Sequence, residues 1–288
     1  MPGTVLGVIG GSGVYRLPEL EDVTERVVET PFGAASSPLL SGRIAGQEVH
    51  FIARHGPGHR FNPSEVPYRA NLWALKAAGA TAVLSVSAVG SLAAEVAPGH
   101  LVVPEQIIDR TLGCRGSTFF EGGVVAHVTF GDPYCSELRE VVAVSAEAAG
   151  ATVHRGGTLV CMEGPAFSTR AESNLYRSWG GTLVGMTAVP EAKLAREASL
   201  CYATLALCTD YDCWHENEDD VSVDAVLEVM KRNTLAARAT VLELCGRLVS
   251  AGSPTCRCAH ALDAALITPR DRISPAARER LGPILGEI

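Results

Sequence analysis

Short apolar runs recur along this chain, each closed by a glycine-rich or polar turn and followed by a stretch of helical period. "TVLGVIG" (4–10), "TAVLSVSAVGS" (81–91), "GTLVCMEGPAF" (157–167), "GTLVGMTAVPE" (181–191) and "LCYATLALCTDYD" (200–212) carry no polar alternation. That pattern predicts strands buried on both faces. "PLLSGRIAGQEVHFIARHG" (38–56) reads as a hairpin turning near Ala45 and Gly46. In "SEVPYRANLWALKAAGA" (64–80), Tyr68, Leu72 and Leu75 share one helical face, and Gly79 is the stop. Further helices are predicted over 135–151, over 169–180 with Gly180 as the stop, over 190–199, and from Ser222 to about Val249. Buried strands alternating with helices, without a repeat or a low-complexity linker, predict a single α/β domain over 1–288. Its last part, 252–288, reads as a tail carrying a C-x-C pair.

Composition narrows the functional classes. With 47% hydrophobic and 19% charged residues in 288, the chain has material for a sizeable core. The formal charge of −8 and the lack of a basic cluster interleaved with aromatics argue against nucleic acid. No run is long enough to span a membrane, and "MPGTVLGVIGG" lacks the charged start and long apolar core of a signal peptide. A cytoplasmic location is expected. Of nine cysteines most sit in apolar runs, where a thiol acts as a small hydrophobe. Without a CxxC pair, no metal site is expected. "HENED" (215–219) has Asp219 where a zinc-binding H-E-x-x-H needs its second histidine. Cys256 and Cys258 are either two free thiols or a strained local disulfide.

Two features suggest chemistry. Asp210 and Asp212 end an apolar run, and residues two apart on an extended strand share a side, so they are expected to form a carboxylate pair on one wall. Such a pair holds a cation, accepts N–H groups or carries a proton. Four small-residue loops also follow predicted strands: "GGSG" (10–13), "RHG" (54–56), "SAVGS" (87–91) and "GMT" (185–187). Ligands of open α/β sheets bind at strand ends. Glycine admits close backbone approach, Ser and Thr donate hydrogen bonds, and Arg54 with His55 brings positive charge, which together suit an oxyanion such as phosphate. Neither a dinucleotide fingerprint nor a P-loop is present, because Arg16 replaces the third glycine of the former and the latter's Gly-Lys-Ser/Thr is missing.

The motifs "IGGSGVY", "TPFG", "ARHG", "NLWALKAAGAT", "SAVGSL", "EGPAFSTRAES", "MTAVPEAKLARE" and "ATLALCTDYDCW", the last followed by "VSVD", run in the order of one known family. Over roughly residues 5–235 the chain resembles the 5′-methylthioadenosine phosphorylase branch of the trimeric purine nucleoside phosphorylases. The resemblance implies an α/β fold around a mixed, partly barrel-like central sheet. It implies a homotrimer or trimer-based hexamer, inorganic phosphate as co-substrate, a small-molecule nucleoside substrate, and no metal or other cofactor. It places Ser12, Arg54, His55, Ser87, Ala88 and Thr187 at phosphate. The human-type enzyme has Thr where this chain has Ser12 and Ser87, which keeps the hydroxyl. Met186 falls under the ribose, Phe167, Ser168, Thr209, Asp210 and Asp212 around the base, and Val223 and Val226 in the pocket for the 5′-alkylthio group. His127 corresponds to a histidine reaching into the neighbouring subunit's pocket; from its apolar run alone it reads as a core residue.

The resemblance implies a role for the acid pair. Adenine offers an N6 amino donor and an N7 acceptor, so two adjacent acids sharing a proton can read both, with Asp210 donating to N7 as the base leaves. Relatives that cleave 6-oxopurines carry Glu in a GP-x-F-E-T motif and Asn at the Asp210 position. Here Ser168 and Asp210 stand instead, which points to adenine. Methylthioadenosine phosphorolysis is therefore expected, ahead of a purine nucleoside phosphorylase for adenosine, inosine or guanosine. A non-catalytic nucleoside-binding protein is the distant alternative. The C-x-C tail resembles that of archaeal and some bacterial members in which disulfides form, and Cys135 and Cys201 resemble a paired position in that branch.

Overall fold

A computed structural model describes residues 3–11, 14, 17–215, 223–250 and 254–286, without the side chains of 223–228. Ser12, Arg16 and all of the "HENED" stretch after His215 lie outside the described residues, as do the side chains of Val223 and Val226.

The predicted apolar runs become the sheet's centre. Strands β1 (Leu6–Gly10), β2 (Glu21–Arg26), β3 (Glu29–Thr30), β4 (Gly33–Ala34), β5 (Leu39–Ile44), β6 (Gln47–Ala53) and β7 (Ala82–Ser91) come first. They are followed by β8 (Leu101–Val103), β9 (Gln106–Arg110), β10 (Val153–Arg155), β11 (Thr158–Met162), β12 (Leu183–Gly185) and β13 (Cys201–Asp210). Eleven of these form one mixed sheet, eight along the path β10-β8-β13-β7-β1-β6-β5-β2 and β9, β11 and β12 off it. β6, β1, β7 and β13 run parallel, so their C-terminal ends open on one edge. The expected hairpin is β5–β6, and Ala45 (φ 51°) and Gly46 (φ 83°) both take the left-handed conformation that such a two-residue turn demands.

The barrel-like part has a visible cause. β7 pairs with β13 and then, at its far end, turns to pair with β12 through Ser91 and Gly90. β12 pairs with β11 and β11 with β9. β9 continues from β8 across Pro104 and Glu105, and β8 returns to β13. The ring is filled by Val89, Val96, Val102, Leu159, Cys161, Leu183, Ala206 and Cys208.

Helices cover both outer faces. α1 (Tyr68–Ala77), α4 (Ala188–Glu197) and α6 (Pro275–Leu281, in the tail) pack with Ile9, Ile52 and Val83. α2 (Ser136–Ala148) and α5 (Val223–Ser250) pack with Leu84, Leu205 and Leu207. α3 (Arg170–Ser178) begins at Thr169, where a capping box with Glu172 satisfies the first N–H groups. Gly79 and Gly180 lie just past α1 and α3 at positive φ, as the stop signals predict. α1 starts at Tyr68 rather than Ser64, because Pro67 has no N–H to donate and restricts the residue before it. Among the described residues no helix is long and apolar enough to cross a membrane.

Candidate active site

Arg54, Ser87 and Thr187, from three of the four loops singled out in the sequence, meet at the C-terminal edge of the parallel strands, beside Gly10 at the end of β1. Arg54 follows β6, and its N–H bonds the Gly10 carbonyl at the end of β1 (2.9 Å). Its side chain is 1% exposed. It pairs bidentately with Glu191 of α4 (Nε–Oε2 2.9 Å, Nη2–Oε1 3.1 Å) and donates to Val86 O, Ser85 Oγ and Ile9 O. These acceptors take up most of its five N–H groups. Burial works against its charge, and Glu191 more than offsets that, so the pKa is raised. Glu191 is itself fully buried and also accepts from the Tyr202 hydroxyl (3.0 Å).

His55 donates from Nδ1 to the Phe61 carbonyl (2.9 Å), which leaves the Nε2 lone pair available, and it stacks on His59. Burial first, then the neighbouring Arg54 charge, lowers its pKa to about 4, so the ring is neutral at physiological pH. From β7, the Ser87 hydroxyl lies 3.1 Å from that of Thr187, the N-cap of α4, whose side chain caps no helical N–H. Ala88 beside it is exposed although it sits inside a strand. Arg54, Ser87 and Thr187 thus converge through β7, and His55 follows directly in the chain.

The acid pair departs from its expected geometry. β13 ends at Asp210, and Thr209 is the extra residue of a bulge, since Cys208 pairs with Val89 and Asp210 with Gly90. Asp212 is not on the strand: its φ is +51°, in a turn closed by its own N–H donating to Asp210 Oδ1 (2.8 Å). The two acids are adjacent because of that turn, not through strand alternation; a short aspartate side chain tolerates the left-handed conformation. Asp210 Oδ2 accepts from the Thr209 hydroxyl (2.6 Å). Gly90 makes room for this arrangement, since a Cβ there would stand 2.9 Å from Asp210 Oδ1. Asp212 is 7% exposed, and its Oδ2 has no hydrogen-bond partner. Burial raises its pKa, with the nearby Ser173 and Ser168 hydroxyls pulling the other way.

Ser168 is buried beside this turn, its carbonyl accepting from the Cys213 thiol (3.2 Å), while Phe167 is 49% exposed. Met186 precedes Thr187 and lies against Gly164, whose φ of +67° and contact with the thioether leave no space for a Cβ. His127 stands apart. It is exposed rather than buried, and its N–H bonds the tail at Ala265 O (2.8 Å), so the core reading of its apolar run is corrected.

Reading the sequence missed the framework. Arg115, 6% exposed, donates to Met186 O (2.6 Å), Val189 O (2.8 Å) and Glu163 Oε1 (3.0 Å), tying three loops together. Glu163 is held down at about 2: burial opposes this, but bonds from Ser64, the Leu112 N–H, Cys114 and Arg115 prevail. Glu163 and Glu191 stood inside quoted motifs, "EGPAF" and "VPEAK"; no pattern linked Glu191 to Arg54 or Glu163 to Arg115.

The sequence profile of the phosphorylase superfamily matches residues 5–245. The S-methyl-5′-thioadenosine phosphorylase of Geobacter sulfurreducens is 54% identical over 282 residues, covering 98% of each chain. That of Chloroflexus aurantiacus is 51% identical over 288 residues and 99% of each. A crystal structure of a methylthioadenosine phosphorylase sourced from an antarctic soil metagenomic library superposes with a TM-score of 0.93 at 43% identity, covering 99% of both chains. The Schistosoma mansoni methylthioadenosine phosphorylase in complex with adenine gives 0.85 at 36%, over 93% of this chain and 99% of its own. The chain belongs to the phosphorylase superfamily, in its methylthioadenosine phosphorylase branch.

Proposed function

We propose that this enzyme cleaves 5′-deoxy-5′-methylthioadenosine with inorganic phosphate, giving adenine and 5-methylthioribose 1-phosphate. The observation that carries the adenine reading is the buried Asp212 Oδ2, an acceptor without a donor, set beside Asp210 at the end of β13. A 6-amino group supplies the missing N–H. A 6-oxo group sets lone pair against lone pair, a loss of about 1–3 kcal/mol.

Phosphate sits between the Ser87 and Thr187 hydroxyls, the Ala88 backbone, His55 and the Arg54 charge, with Ser12 completing the set. The neutral His55 accepts a phosphate O–H at Nε2, and Ser87 and Thr187 donate. The C1′–N9 bond breaks as a phosphate oxygen bonds C1′, and phosphate charge stabilises the cationic ribosyl centre. The acid pair shares one proton, which Asp210 passes to N7 so that adenine leaves neutral; solvent restores it after release. Met186 lies under the ribose, Phe167 and Ser168 flank the base, and Val223 and Val226 line the methylthio pocket. Most of the acceleration comes from positioning and electrostatics, without a metal or organic cofactor.

The whole chain acts as one catalytic domain in a cytoplasmic homotrimer or trimer-based hexamer. His127, exposed on its own protomer, then reaches a neighbour's 5′-pocket. The reaction belongs to purine and methionine salvage. Purine release is measured with and without phosphate for methylthioadenosine, methylthioinosine, adenosine, inosine and 5′-halogenated analogues. Methylthioadenosine is expected to lead, and only with phosphate. Undiminished release in phosphate-free buffer defeats the reading, and preference for the inosine analogues defeats its adenine part.

A further inference from the structure

Four cysteines from three distant parts of the chain meet outside the active site. Cys135 is the N-cap of α2, Cys201 opens β13, and Cys256 and Cys258 belong to the tail. Their Sγ atoms all lie within 4.8 Å of one another. Cys135, Cys201 and Cys258 are buried and Cys256 partly so. The Cys201–Cys256 separation is 3.3 Å, against about 2.05 Å for a disulfide. A zinc ion with Zn–S bonds of about 2.3 Å sets four tetrahedral sulfurs about 3.8 Å apart. We propose that Cys135, Cys201, Cys256 and Cys258 form a structural tetrathiolate site for one zinc ion, which ties the tail to α2 and β13.

The surroundings hold the four sulfurs in place before a metal arrives. The Cys135 N–H bonds Tyr202 O (2.8 Å), and the Cys201 N–H bonds Thr81 O (3.0 Å), so both backbones are anchored to the sheet. Glu137 in the first turn of α2 accepts from the Thr255 N–H (3.0 Å) and from its hydroxyl, which fixes the residue before Cys256. The Leu138 N–H points at Cys135 Sγ (3.5 Å), the kind of outer contact that steadies a thiolate ligand. Four soft sulfur donors with no carboxylate, imidazole or open position select a closed tetrahedral site. The missing CxxC pair argues only against a site built from adjacent residues; here the tail supplies two ligands and the core two.

The test uses the full-length chain, purified under anaerobic conditions without a reducing agent, a chelator or a metal-affinity tag. Elemental analysis is expected to find about one zinc per chain in the wild type and almost none in Cys256→Ser/Cys258→Ser. Cobalt(II), added alone to chelator-stripped protein, is expected to give thiolate-to-cobalt charge transfer and tetrahedral ligand-field bands, both absent in the variant. Thiol titration in denaturant with chelator and no reductant is expected to find all four cluster cysteines reactive. Stripping zinc is expected to lower the melting temperature, and adding it back to restore it. The proposal is overturned by iron in place of zinc, by two disulfides in the freshly purified chain, or by four free thiols that take up neither zinc nor cobalt. Neither serine substitution touches an active-site residue, so phosphorolysis is a separate readout: its loss with the cluster intact leaves the zinc site standing.

Discussion

At the Arg54 end of the site the buried charge is matched; at the Asp212 end it is not. Arg54 and Glu191 are almost wholly buried, and they satisfy each other bidentately, with Tyr202, Ser85 and two carbonyls taking what remains. Asp212 is nearly as buried, yet one of its oxygens accepts nothing. An ion pair that is complete in the free chain costs no rearrangement when an anion arrives beside it. An acid left incomplete has a binding partner still to come, and the free chain bears that cost until it does. On the proposed reading, the first end is framework with charge attached, while the second is a recognition surface. Substitutions at the two ends should therefore change different quantities.

The largest effect is expected at Asp210. On the proposed mechanism, Asp210→Asn removes the proton given to N7 while keeping an amide oxygen for the Asp212 N–H. We expect kcat on methylthioadenosine to fall by about 10²–10⁴, with KM nearly unchanged, because the interaction lost belongs to the transition state. Adding Ser168→Glu rebuilds the 6-oxopurine wall, and the ratio of kcat/KM for the adenine and hypoxanthine nucleosides is expected to move toward the latter. If that ratio stays fixed in the double variant, Asp210 does not read the purine, and the recognition end loses its meaning.

Stability, not chemistry, is expected to register the loss of Glu191. Glu191→Gln keeps the side chain's shape but leaves Arg54 charged, buried and without its anion. Breaking such a pair costs about 3–5 kcal/mol. The midpoint of denaturant unfolding is the measurement, with the slope unchanged. A variant as stable as the wild type means that the Arg54 charge is solvated by other groups, and the contrast between the two ends fails.

Much of this contrast was hidden in the sequence for a physical reason. Strand periodicity showed β1, β7, β11, β12 and β13, the Ala45–Gly46 hairpin and the helix stops, because local pattern and tertiary burial agree there. The two-residue β3 and β4 did not show, since two residues carry no period; β2 is polar and exposed along its length, β8 and β9 are split at Pro104 and Glu105, and β10 is a short edge strand, so none of these carried an apolar run to read. The four small-residue loops pointed to an anion site from residue chemistry alone, and the family resemblance supplied the roles. Neither showed that Arg54 is paired with Glu191, 137 residues away. The strand rule placed Asp212 on the right wall for the wrong reason, because the Thr209 bulge and the left-handed turn replace simple alternation. The cysteine cluster shares this invisibility, as three segments with no common motif build it.

The smallest effect has the opposite sign to that of Glu191→Gln, and it tests the recognition end directly. Burial raises the Asp212 pKa above its usual value of 3.8. Between that value and the raised one the folded chain binds more protons than the unfolded chain, so stability falls as pH rises through this window. Below pH 3.8 the penalty is absent, and above the folded pKa it is complete. Asp212→Asn removes the ionisation and supplies an amide that the neighbouring Ser168 and Ser173 hydroxyls can meet. The unliganded variant is therefore expected to be more stable than the wild type at pH 7, by about 1 kcal/mol. It should also lack the part of the pH slope that lies just above the carboxylate range. Adenine binding is expected to weaken in the same variant, because the acceptor for the 6-amino group is halved. Chemical denaturation from pH 4 to 8, paired with calorimetric titration of adenine, reads both effects. A variant that is less stable at pH 7, or that binds adenine as well as the wild type, shows that Asp212 is a structural acid like Glu191.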